Sequence, residues 1–196
     1  THAGIIRVPL ISSDNRETVS RHFAWMRQHG IDGAFVQRFP VDLYRRGLAP
    51  APFRDSADRV LGYCRDAAAA SGRSYALMYD LSGLGSTAAE VVIADWRHLT
   101  GAGVVRGPAD AAWQHHGGRP VIALWGVGFN DGRSYGLDAC ERLVAFYKDE
   151  GYAVLLGLPF YWRTLRNDAV ADARLHALVR KADIVHTWSV GRYRDE

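Results

Sequence analysis

The chain has 196 residues, 48% of them hydrophobic and 23% charged, which is close to the average soluble globular domain and enough for one sizeable core. Its net charge of +3 comes from basic and acidic residues that are interspersed; without a Lys/Arg block or a reader motif, a nucleic-acid partner is not expected. No apolar run is long enough to span a bilayer, and the chain opens at Thr1 rather than methionine, which leaves a removed leader and a longer parent protein both open.

Asp14 to His29 begins with an Asp-x-x-Glu capping box, sets Val19, Phe23 and Met26 on one face and is followed by Gly30, the marks of a helix with both ends specified. Ile31 to Phe39 is a short apolar run reaching Gln37 and Arg38, read as a buried strand. The pair then recurs. Asp55 to Ser71 is helical, with Val60, Leu61, Cys64 and Ala68 inward and Gly72 after it, and Ser74 to Asp80 is a second strand. Thr87, with Glu90, caps a helix carrying Val91, Ile93, Trp96 and Leu99, and Pro120 to Trp125 is a third strand. Leu137 to Asp149 turns Cys140, Leu143, Val144 and Tyr147 inward and yields to a strand in YAVLLGLPF. Asp168 is expected to cap a helix over Val170–Ala182, before a fifth strand in IVHTWSV. A sixth is expected in GIIRVPLI from Gly4. Cys64 and Cys140 both fall in helical patterns far apart, which points to core thiols rather than redox or metal chemistry.

Alternating strands and helices make a parallel sheet with helical crossovers, either a doubly wound open sheet or a (β/α) barrel. The doubly wound reading needs a glycine-rich phosphate turn. SGLGSTAAE from Ser82 is the best candidate, but it lacks the third glycine and an acidic residue at a strand end about 20 residues on. The barrel reading brings the strand ends onto one face. There Gln37, Tyr79, Asp80, Trp125, Asn130, Asp131, Tyr161, Trp162, Arg163, Trp188 and Arg192 are the candidate binding residues. Sugar rings offer apolar C–H faces to aromatic planes and a fringe of hydroxyls to carboxylate, amide and guanidinium partners, so these residue types suit a carbohydrate.

Other chemistries are signalled less well. His115 and His116 precede a strand and are read as a turn pair rather than metal ligands, since no further ligand stands at the right spacing. His186 lies within the last strand, two residues before Trp188, and can point either to the barrel interior or to the helices, as a ligand or proton carrier. Ser82 lacks a GxSxG elbow and an evident His partner. No metal or other cofactor is expected.

Taken in order, HFAWMRQHGIDGAFVQRF, YALMYDLSGL, HHGGRPVIALWGVGFNDGRSY, LLGLPFYWR and ADIVHTWSVGRY resemble the (β/α) barrel of glycoside hydrolase family 99 and its relatives in family 71, the xylosidase/arabinosidase-like proteins. The resemblance runs from about Val8 to Tyr193. It implies a (β/α)8 TIM barrel enzyme that hydrolyses glycosidic bonds, with family 99 members acting as endo-α-mannosidases on mannose-containing glycans, and it favours a secreted or periplasmic location while leaving a cytoplasmic one open. Such enzymes retain configuration through two carboxylates on a Glu-rich motif late in the barrel. Only SVGRYRDE follows Trp188, so no position here takes over that role.

An eight-stranded barrel needs about 250 residues, and this chain has five or six strands. Residues 1–196 are therefore expected to be one incomplete barrel segment of five to six βα units, belonging to a longer catalytic domain whose catalytic carboxylates lie beyond Glu196. Asp80 is expected in a supporting role, accepting from a sugar hydroxyl near the scissile bond, with Asn130 or Asp131 as a second polar contact. Two alternatives stand beside this: a carbohydrate-binding protein without catalysis, and a nucleotide-binding open α/β domain using the Gly83–Thr87 turn.

Overall fold

A computed structural model describes residues 13–45 and 48–192; the strand expected from Gly4 lies outside them. In chain order come α1 (Arg16–Gln28), β1 (Gly33–Arg38), α2 (Pro40–Leu43), α3 (Arg54–Ser71), β2 (Ser74–Asp80), α4 (Ala88–Gly101), β3 (His115–His116), β4 (Arg119–Trp125), α5 (Leu137–Asp149), β5 (Ala153–Leu158), α6 (Arg174–Val179) and β6 (Ile184–Thr187).

The long elements follow the hydrophobic periodicity, and the departures have local causes. Helix α1 is capped by Asn15, whose Oδ1 accepts from the Glu17 and Thr18 amides at 2.9 and 3.3 Å, and not by Asp14. Asp14 instead accepts from Ser56 and Arg59 of α3 at 2.9 and 2.6 Å, tying the two helices together. Thr87 precedes α4 without a side-chain cap, and the buried face of that helix is Ala88, Val92, Asp95, Trp96 and Leu99, leaving Val91 and Ile93 half-buried. Helix α6 is much shorter than Val170–Ala182 because the chain before it is used otherwise. Val170 donates to the Gly128 carbonyl at 3.0 Å, Ala169 bridges to Phe129, and the Asp168 carboxylate serves other amides. His115 and His116 form the short antiparallel strand β3 on β4, turned by Gly117 and Gly118 at φ +57° and +78°.

Five strands pair in the order β1-β2-β4-β5-β6, every neighbouring pair parallel. The fold is thus α/β with a parallel sheet. Because the order follows the chain without reversal, the described sheet has no switch-point crevice of the kind a doubly wound nucleotide domain uses. The loop at Gly83 packs instead on Val41, 3.3 Å from where a Cβ would stand. β1 and β6 are not paired with one another, so the described sheet is open.

Strand alternation separates two faces. Tyr75, Leu77, Tyr79, Ile122, Leu124, Val154, Leu156 and Leu158 join the helices in the main core. On the other face Val121, Ala123, Ala153 and Leu155 pack with Met78 and Ile184, strand residues alone. Val121, Ala123 and Ala153 are fully buried there.

The main core contains one ionic knot. Arg38, at the end of β1, gives Nε and Nη2 to the two carboxylate oxygens of Asp95 at 2.7 Å each and also bonds Asp58 at 2.7 Å. Tyr44 and Tyr79 complete Asp95 at 2.9 and 2.7 Å, and His98 meets Asp58 at 2.7 Å. Burial disfavours the Arg38 cation, but the bond to Asp95 and its charge outweigh this and raise its pKa.

Removing one partner of such a pair leaves an uncompensated buried charge. Asp95→Ala should lower the free energy of unfolding by about 3–5 kcal/mol in urea titration, with Arg38→Met/Asp95→Leu recovering much of the loss; a single-variant loss below about 1 kcal/mol would contradict the assignment. Asp183 provides a pH test. It accepts from Arg119 of β4 at 2.5 Å, from the Val154 amide of β5 at 2.8 Å and from Lys148 of α5; burial raises its pKa, but these donors outweigh it and the net shift is downward. A carboxylate with a depressed folded pKa stabilises above its unfolded value of about 3.9, and that stabilisation fades as pH falls through the folded value. The melting-temperature gap between the wild type and Asp183→Asn should be full at neutral pH and close below about pH 4; a gap independent of pH would refute it.

Candidate functional site

The carboxyl ends of the strands on the strand-only face carry the groups with chemistry. Register places Asp80 beside Trp125, Trp125 beside Gly157 and Gly157 beside His186, one row across four strands. Immediately below lies a second row, Gln37–Met78–Ala123–Leu155–Ile184, apolar except at its β1 end.

Gly157 is an interruption in an otherwise apolar strand, and it has a steric cause. A Cβ there would stand 2.1 Å from Cε3 of Trp125 and 2.7 Å from Cδ2, so the indole lies over the Gly157 backbone. The Gly157 carbonyl also accepts from the Gly126 and Val127 amides at 3.2 and 3.0 Å, fixing the chain that follows Trp125. Around the indole stand Phe129, His186 and Trp188, with ring centroids at 6.1, 5.4 and 5.9 Å. Trp125 is half-buried, while His186 and Trp188 are exposed.

Asp80 is 5% exposed. Its Oδ1 accepts from the Ser82 amide at 2.9 Å and its Oδ2 from Gln37 Nε2 at 2.7 Å. Gln37 reaches it from β1 and is itself exposed. The result is an oriented carboxylate beside an aromatic plate.

The loop after β4 forms the rim. Asp131 holds Arg133 at 2.6 and 2.5 Å, and this bond depresses the Asp131 pKa. Arg133 also bonds the Gly126 carbonyl at 2.8 Å and the Tyr135 hydroxyl, and stacks over Phe129 at 4.8 Å. Asp131 therefore orders its loop. Asn130 is exposed, with its side chain on the Asn167 carbonyl at 3.3 Å and its amide on the Asp168 carbonyl at 2.8 Å. Asp168 accepts from the Phe160 and Tyr161 amides at 3.2 and 3.1 Å and pairs with Arg192 at 3.4 Å, so Asn130, Tyr161 and Arg192 converge on one stretch of rim.

Three expected residues stand apart. Tyr79 points to the helix face, fully buried, and donates to Asp95; the alternation that sends Asp80 to one face sends Tyr79 to the other. Trp162 and Arg163 lie beside Val185 and Thr187, the β6 side chains directed to the helix side. The Trp162 carbonyl meets His176 Nε2 at 3.0 Å, and Arg163 stacks over the indole at 5.0 Å. The turn Phe160–Arg163 is short enough that consecutive residues leave it in different directions.

Phe129, Arg133 and Gly157 were not among the expected residues. Gly157 carried a readable signal, a glycine inside a buried strand. Among the described residues no group of three or more His, Cys, Asp or Glu is placed to hold a metal ion. Burial pushes the thiols of Cys64 and Cys140 up to about 11 and about 12, which suits inert core positions. No family model matches the chain, and no curated protein is detectably similar to it. The family 99 resemblance rests on the sequence blocks alone, and the reading of the site on its own geometry.

If Gly157 makes room for the indole, Gly157→Ala should displace Trp125, changing the near-ultraviolet circular dichroism of the Trp125–Trp188 pair and costing about 1–3 kcal/mol of stability. An unaltered spectrum and melting temperature would show that the ring does not depend on the glycine.

Proposed function

We propose that this chain is the sugar-binding wall of a glycoside hydrolase-like (β/α) barrel acting on mannose-containing or related glycans. The observation that carries the reading is the single row in which a hydrogen-bonded carboxylate, an indole lying on a glycine and an imidazole follow one another across four parallel strands. An indole face packs against the C–H face of a pyranose, and an adjacent acceptor takes its hydroxyls. The barrel element of the proposal is supported by the strands running in chain order, with rows of inward side chains stacked beneath polar strand ends.

Asp80 serves as an acceptor. Both its oxygens already receive N–H donors, and it stands in register with Trp125. Glycoside hydrolysis by the usual routes needs two carboxyl groups flanking the bond. Asp80 is the only carboxylate in the row, while Asp131 and Asp168 on the rim are engaged by Arg133 and Arg192. That count favours a second reading alongside the first, a protein that binds glycans without cutting them. In the hydrolase reading, the acid and the nucleophile come from residues outside those described.

Titration of the wild type with α-mannotriose, xylotriose and arabinotriose, followed by tryptophan fluorescence, tests the proposal. At least one should bind, and Trp125→Ala should weaken it about ten- to hundredfold, the loss of an aromatic platform. Asp80→Asn should weaken it about tenfold while leaving the melting temperature within a few degrees. Absence of binding to all three sugars, or binding indifferent to Trp125, would overturn it.

A further inference from the structure

The row has two polar ends, Asp80 on β2 and His186 on β6. His186 lies on the strand-only face, in register with Gly157 and with its ring 5.4 Å from that of Trp125 at 48°. It is exposed, and among the described residues neither of its ring nitrogens makes a hydrogen bond. Asp80 stands three strands away at the opposite end of the indole, about 14 Å between backbones at the usual strand spacing. A single hydroxyl-bearing ring resting on Trp125 fits between them.

We propose that His186 is a ligand-binding residue, and that the sugar on Trp125 is gripped at both edges, by Asp80 as acceptor on one side and by an imidazole nitrogen on the other. The inference rests on the carbohydrate reading and narrows it to a ligand unit that carries hydroxyls on two opposite edges of one ring. The two ends differ in chemistry. A carboxylate with two N–H donors already in place only accepts, whereas an imidazole both donates and accepts according to which nitrogen carries the proton. His186 therefore fixes the orientation of the ring on the plate, since turning it over exchanges the hydroxyls presented to each end. Packing alone does not account for His186: it is exposed, and among the described residues its one ring neighbour is an indole already bounded by Phe129, Trp188 and the Gly157 backbone.

Two variants separate the polar role from the aromatic one. His186→Phe keeps a ring beside Trp125 and removes both nitrogens; His186→Gln keeps a donor and an acceptor and removes the ring. With whichever of α-mannotriose, xylotriose and arabinotriose the wild type binds most tightly as the probe, His186→Phe should raise Kd about tenfold and His186→Gln by no more than about threefold, the loss and the retention of one hydrogen bond, and both should melt with the wild type. Wild-type affinity in His186→Phe, or an equal loss in both variants, would overturn the assignment of His186 while leaving the sugar on Trp125. Absence of wild-type binding to α-mannotriose, xylotriose and arabinotriose alike would overturn the carbohydrate reading together with it.

Discussion

The ion pair between Arg38 and Asp95 sets the frame for everything above it. An arginine 4% exposed and a carboxylate fully buried are tolerated because two guanidinium nitrogens and two tyrosine hydroxyls meet the Asp95 oxygens and Asp58 adds a second carboxylate to Arg38. Meeting them draws in the end of β1, the segment after α2, and helices α3 and α4, together with Tyr79 of β2. Arg38 follows Gln37 in β1, and Tyr79 precedes Asp80 in β2. The knot on the helix side therefore places the carboxamide and the carboxylate that meet on the strand side, through backbone alternation alone. Stability and site share the same two strands, one residue apart.

Across the sheet the same economy appears in a steric form. Trp125 cannot lie over β5 unless β5 offers backbone at that point, and Gly157 offers it. The turn after Trp125 is held by the Gly157 carbonyl and by Arg133, which is in turn held by Asp131. The indole is thus positioned by its neighbours' backbone and by a charged pair on its own loop, and it stays half-buried. A plate held in this way needs little reordering on binding, which is what makes aromatic platforms effective at small cost in entropy.

Much of the fold was legible because hydrophobic periodicity and glycine or proline punctuation report directly on helices and buried strands. β2 and α5 fall where the pattern puts them, and Asp80, Trp125 and Trp188 stand on one face, as side-chain alternation along neighbouring parallel strands dictates. The failures share a cause. Tyr79 and Asp80 sit together in sequence, but one belongs to the knot and the other to the site, and only the pairing of Tyr79 with Asp95, sixteen residues away, decides between them. Asp168 has the sequence of a helix cap, yet a tertiary demand from the Phe160–Tyr161 amides claims its carboxylate and shortens the helix that was to follow. Asp95 gave no signal at all, because a single acid on an apolar helical face reads as noise until its arginine is found on another element.

The order of the strands along the chain has a kinetic consequence. Each parallel strand finds its partner in the preceding parallel strand, so no strand waits for a distant segment before it can pair, and loop-closure costs stay small at every step. A sheet of this kind can lengthen unit by unit as the polypeptide leaves the ribosome. On that route β1, α3 and β2 are joined, with Arg38 able to pair with Asp58, before α4 delivers Asp95, so full burial of the guanidinium awaits that helix.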